Sequence, residues 1–148
     1  MCSKGNRHSL GRSYLAMIHE RLKIGRWKVD FLFAPDGYDT EEALTFLYDA
    51  DASDHILRQA YHILEDNIPN TGFTFTNQEM KEAIVVIGPS TSGDEFINTL
   101  CHEMYHVAAA IASSLGVSLS GEKPAYIMGD SVEELTRIIC RLGCEECN

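Results

Sequence analysis

The sequence predicts an α+β domain, and three observations carry that reading. Over residues 96–115 apolar side chains recur at three- and four-residue spacing (Phe96, Leu100, Met104, Ala108, Ile111, Leu115), the period of a helix with one buried face. Trp27–Phe33 alternates large apolar with polar residues, the pattern of a strand. Glu82–Ile87 is a β-branched aliphatic run closed by Gly88-Pro89, a second strand signature. With 148 residues, 45% hydrophobic, the chain is long enough for one domain with a real core and too short for two.

The elements follow in order. Over residues 9–23, Leu10, Tyr14, Leu15, Ile18 and Leu22 fit an amphipathic helix ended by Gly25. The strand Trp27–Phe33 runs into the turn residues Pro35-Asp36-Gly37. Asp39 or Thr40 then caps a helix with Glu41 and Glu42 in its first turn. Ser53 caps another, which must stop near Pro69. Residues 71–76, Thr-Gly-Phe-Thr-Phe-Thr, alternate with period two and read as a strand, and Glu82–Ile87 follows it. After the polar loop Ser90-Thr-Ser-Gly93 comes the helix that stops at Gly116, then a last helix. That one tolerates Pro124 in its first turn and buries Val132, Leu135, Ile138, Ile139 and Leu142. The expected plan is strands in the middle and helices at both ends, with a small sheet of about three strands packed on the last two helices.

Charge divides the chain. Its net charge is −10, yet seven of the 12 basic residues (Lys4, Arg7, Arg12, Arg21, Lys23, Arg26, Lys28) fall in residues 1–28 beside one acid, Glu20. Residues 1–28 thus read as a basic arm and helix, 39–142 as the core of the domain, and 143–148 as a cysteine-containing tail. The acidic balance argues against nucleic acid as a partner. No apolar run approaches the ~20 residues of a membrane span. The start lacks the apolar stretch of a signal peptide, and five cysteines, an odd number, fit reduced thiols in a cytoplasm.

The chemistry centres on His102-Glu103-Met104-Tyr105-His106, an H-E-x-x-H motif on the helix of residues 96–115. Residues at i and i+4 share a helix face, so His102 and His106 are placed to grip one metal ion, with Glu103 as the base facing a metal-bound water. A catalytic Zn2+ usually has three protein ligands. The pattern with a third His six residues after the second is excluded, because Ala109 and Ala112 occupy the Gly and His positions. Glu122, sixteen residues after His106 at the start of the last helix, is the better candidate; Gly121 would allow close backbone approach.

With these residues the chain resembles the gluzincins, metallopeptidases with two His from H-E-x-x-H and a Glu from a following helix. More narrowly, it is similar to the compact H-E-x-x-H…G-E-x-x-A-Y proteins encoded by phages and mobile elements of gut bacteria, in which N-T-G-x-T-x-x-N (here Asn70 to Asn77) and V-V-I-G recur. The likeness spans about residues 39–130. It implies a zincin-like fold, a zinc cofactor held by His102, His106 and Glu122, Glu103 as catalytic base, and a peptide or protein substrate. One departure is Tyr126, where larger members carry an Asp that braces a zinc His; Asp130 is a candidate for that place.

Two roles are open for Tyr126, packing or a hydrogen bond to the tetrahedral oxyanion. Residues 83–87, if at a sheet edge, would accept an extended peptide by strand addition. His19 lacks a second His at Lys23 and reads as surface, as do His55 and His62. Cys140, Cys144 and Cys147 read either as free thiols or as metal ligands with Cys2 or His8. Against the peptidase stands a rival, a binding or structural module stabilised by zinc.

Overall fold

The computed structural model describes residues 17–143. The chain builds β1 (Ile18–Ile24), β2 (Trp27–Phe33), α1 (Thr40–Asp49), α2 (Asp54–Asp66), β3 (Gly72–Asn77), β4 (Glu82–Ile87), α3 (Gly93–Ser114) and α4 (Glu122–Gly143). The fold is α+β, with a four-stranded sheet in the order β1-β2-β4-β3. The β1–β2 and β3–β4 pairs are antiparallel and the β2–β4 pair is parallel. Helices cover both faces. Val29, Phe31, Phe33, Val85 and Ile87 pack against α3 and α4, whereas Leu32, Ile84 and Val86 pack against α1 and α2.

Three expectations are corrected. Residues 18–24 form a strand, not the second half of a helix; residues 9–16 lie outside the described part. Ile18 and Leu22 stand four apart and satisfy either period, but Ile24 continues the alternation, and Gly25-Arg26 is the two-residue turn of a hairpin with β2. Gly25, at φ +59°, ends a strand there rather than a helix. Among the described residues the sheet therefore has four strands rather than about three, and the described chain opens on a hairpin rather than a helix. Finally, residues 83–87 lie in the interior of the sheet, between β2 and β3, so they offer no edge to a peptide. An aliphatic run buried on both faces is what an interior strand requires.

The local signals explain the rest. Asp39 caps α1 by accepting from Glu42 N at 3.1 Å, and Ser53 caps α2 by accepting from Ile56 N at 3.3 Å. Asn67, at φ +45°, closes α2 before Pro69. On α4 Leu135 is fully buried, while Val132, Ile138 and Ile139 are half-buried. Among the described residues, no helix is long and apolar enough to cross a membrane.

Candidate active site

The buried stripe of α3 runs through Thr99, Leu100, Glu103, Met104, Val107, Ala108, Ile111 and Ala112, the three- and four-residue spacing of a helix lying on a sheet. Glu103 is therefore a carboxylate set into an apolar stripe, 5% exposed. A buried carboxylate needs a donor, and Thr74 of β3 supplies it: Thr74 Oγ1 donates to Glu103 Oε2 at 2.6 Å. His102 and His106 border the stripe on the solvent side. Both are exposed, with ring centroids 5.1 Å apart, and His102 Nε2 lies 4.0 Å from Glu103 Oε1.

The approach of α3 to β3 depends on residues outside the H-E-x-x-H motif. A Cβ on Gly72 would stand 2.6 Å from Val86 O and 3.2 Å from both Glu103 Cγ and Thr99 Cγ2, so only glycine lets Glu103 come this close. Asn70 ties the start of β3 to the loop before α3: its Oδ1 accepts from Thr91 N at 2.8 Å and its Nδ2 donates to Thr91 Oγ1 at 2.9 Å. Asn77 Nδ2 donates to Ala50 O at 3.1 Å, and its Oδ1 accepts from Met80 N. Every fixed position of N-T-G-x-T-x-x-N thus has a structural reason, since Thr71 Oγ1 also donates to Ile68 O at 2.6 Å. The H-E-x-x-H motif assigns no role to Gly72 or Thr74; their spacing of two along the strand is the signal that puts them on one face.

Among the described residues β3 is the outer strand on this side. Gly88 N donates to Thr71 O, which makes 71, 73, 75 and 77 the residues that exchange hydrogen bonds with β4. Gly72, Thr74 and Thr76 consequently turn their N–H and C=O groups to the outer edge, and Thr74 and Thr76 turn their side chains to the face of α3. Together with Phe73, Glu103 and His106 they line an open cleft of about 380 Å3. Tyr38, packed behind the start of β3, donates to Thr71 O at 3.3 Å. Burial raises its pKa above the usual phenol value, and the charge of Glu103 adds to the rise.

The structure does not bring Glu122 to this place. Glu122 is the first residue of α4 and exposed; its neighbours Lys123 and Ile127 line a cavity with Ser114 and Leu115, at the far end of α3. Ser114 lies roughly 12 Å along the helix axis from His106 at 1.5 Å per residue. Tyr126 is 64% exposed and lines a second cavity beside the β1–β2 turn, with Lys23 and Asp130, so neither it nor Asp130 reaches the histidine pair. Among the described residues, no three His, Cys, Asp or Glu side chains come together as a metal site. His55 and His62 are exposed. His19 is also at the surface, but its Nε2 contacts the buried Asp30 Oδ1 at 2.6 Å. Cys140 is exposed; Cys2, His8, Cys144 and Cys147 lie outside the described residues.

Compared with family models, curated proteins and solved structures, the chain matches none of them.

Proposed function

We propose that the protein is a zincin-like, zinc-dependent hydrolase acting on peptide bonds, with His102 and His106 as metal ligands and Glu103 as the catalytic base. The observation that carries this reading is the placing of Glu103: a buried carboxylate, held by Thr74, one residue from an exposed imidazole pair and beside an open strand edge. The imidazoles fit a zinc ion as donors because both are exposed on one helix face. Glu122 does not complete the set in this arrangement, so the remaining positions fall to solvent, to substrate or to a shift of the α4 start.

Zinc bound by the two histidines would lower the pKa of a water and polarise a scissile carbonyl. The chain's own part is proton handling and positioning. Thr74 occupies Oε2 of Glu103 and leaves Oε1, on the His102 side, to accept a proton and return it to the leaving amine. The outward N–H and C=O groups of Gly72, Thr74 and Thr76 would pair with an extended peptide, laying its backbone along β3 over Glu103 and His106. β3 thereby takes the part expected of residues 83–87. Such a site acts in the cytoplasm or at an assembling phage particle, as the resemblance implies.

The same hydrogen bond from Thr74 favours a second reading, in which Glu103 only anchors β3 to α3 in a zinc-stabilised binding module. One pair of variants separates them. Glu103→Gln is expected to keep metal content measured by plasma mass spectrometry and to lose peptide-library cleavage by 10²-fold or more, on the order of a lost general base. His102→Ala is expected to lose the metal. Cleavage surviving in Glu103→Gln, or metal surviving in His102→Ala, overturns the assignment of that residue; a metal-bound wild type that cleaves nothing favours the module.

A further inference from the structure

We infer that the cavity between the β1–β2 turn and the facing ends of α3 and α4 binds a small amphipathic anion, a carboxylate or phosphate head on an apolar body. The cavity holds about 530 Å3, more than the 380 Å3 beside Glu103 and within the range of small-molecule sites. Arg26 of the β1–β2 turn, Lys81 of the β3–β4 turn and Lys123 of the first turn of α4 all line it, and among the described residues no carboxylate does. None of these three cations has an ion-pair partner among the described residues, where Lys28, Arg21 and Arg137 are each paired. The chain as a whole carries −10. Three unpaired cations gathered in one cavity reverse that sign locally, and such a field draws an anion.

The rest of the wall selects what the anion is attached to. Ile111 and Ile127, 3% and 7% exposed, form an apolar floor, and Leu115, 56% exposed, stands at the rim. An inorganic anion would leave this surface wet, whereas an acyl or aryl chain covers it. Asp130 and Glu134 line the adjoining cavity beyond Lys123, which confines the head group to the side of Arg26 and Lys81. A nucleic-acid backbone needs the same charge but spread along a strip with exposed aromatic rings for bases to stack on. Here the aromatic side chain is Trp27, which is 3% exposed.

Trp27 supplies the measurement. It is the single tryptophan of the chain, it lines the cavity, and its Nε1 donates to Ser114 Oγ at 3.2 Å. The full-length protein is titrated with decanoate and decyl phosphate below their micelle concentrations, followed by Trp27 fluorescence and calorimetry, with decyltrimethylammonium as control. One saturable site per chain for the anions and none for the cation is the expected result, the tighter anion identifying the head group. The triple variant Arg26→Glu, Lys81→Glu, Lys123→Glu, with wild-type circular dichroism, is expected to weaken binding by at least about tenfold, equivalent to 1.4 kcal/mol. Glu103→Gln should bind as wild type does, which separates this site from the hydrolytic one. Absence of saturable anion binding, equal binding of the cation, binding undiminished in the triple variant, or displacement to a single-stranded oligonucleotide as the only ligand would each overturn the inference.

Discussion

Along β1 every second residue is an exposed histidine or cation, His19, Arg21 and Lys23, whereas every residue of β3 is half-buried and its face toward α3 is Gly72, Thr74 and Thr76. Both are outer strands among the described residues. Each also holds a buried carboxylate of a neighbouring element: Asp30 of β2, 2% exposed, is held by His19 and Arg21, and Glu103 of α3 is held by Thr74. Charged side chains blunt an edge against strand addition. One edge of this sheet is thus protected and the other left open, and the open one runs beside Glu103. That contrast suits the extended partner proposed for β3.

The largest test of that contrast is Gly72→Ala. Its Cβ would meet the backbone oxygen Val86 O at 2.6 Å, which no side-chain rotation relieves. Overpacking of this kind costs about 3 kcal/mol, and the same Cβ would press on Glu103 Cγ at 3.2 Å. Urea unfolding should show the loss. A loss below about 1 kcal/mol would mean that β3 slides freely, and Gly72 would then not set the approach of Glu103.

A smaller difference separates the two carboxylates. Thr74→Val keeps shape and removes the donor to Glu103, leaving a buried charge unpartnered at a cost of about 2 kcal/mol. Arg21→Ala leaves Asp30 its contact with His19, and the Arg21 side chain is 47% exposed, so about 1 kcal/mol is expected. The hydrogen bond to Asp30 holds the Arg21 pKa above its usual value, so the guanidinium stays charged throughout. Equal denaturation midpoints for the two variants would show that Glu103 finds another donor, and the comparison between the edges would fail.

Much of this was legible in the chain. The caps Asp39 and Ser53, the alternation of β2 and β3, the aliphatic run of β4 and the long period of α3 each express a local rule, and local rules are what a sequence states directly. The H-E-x-x-H pair is local in the same sense, since spacing alone puts His102 and His106 on one face. The rest is decided by tertiary contacts. Ile18 and Leu22 fit a helix or a strand, and only the hairpin with β2 settles them. The place of Glu122 depends on how far α4 begins from His106, a distance that a seven-residue connection does not encode. The edge position of β3 was available in principle: threonines alternating with apolar residues suit a half-open edge, and the continuous aliphatic run of β4 suits the interior.

The smallest expected effect lies at the inner end of β3 and is read in pH. Tyr38 has a folded pKa raised above its unfolded value near 10, by burial first and then by the charge of Glu103. A raised value means the folded state holds the proton more tightly, so the contribution is fully present below about pH 10 and is lost as pH rises through the folded pKa. Tyr38→Phe removes a long hydrogen bond of 3.3 Å, worth roughly 0.5–1 kcal/mol. That deficit against wild type should be constant below pH 10 and shrink above it, because only the wild type loses stability to ionisation there. Ultraviolet titration of the phenols adds the link to the site. Glu103→Gln deletes the negative charge and should lower the most alkaline transition, whereas a transition that stays in place would show that burial alone sets Tyr38 and that its phenol does not sense the carboxylate.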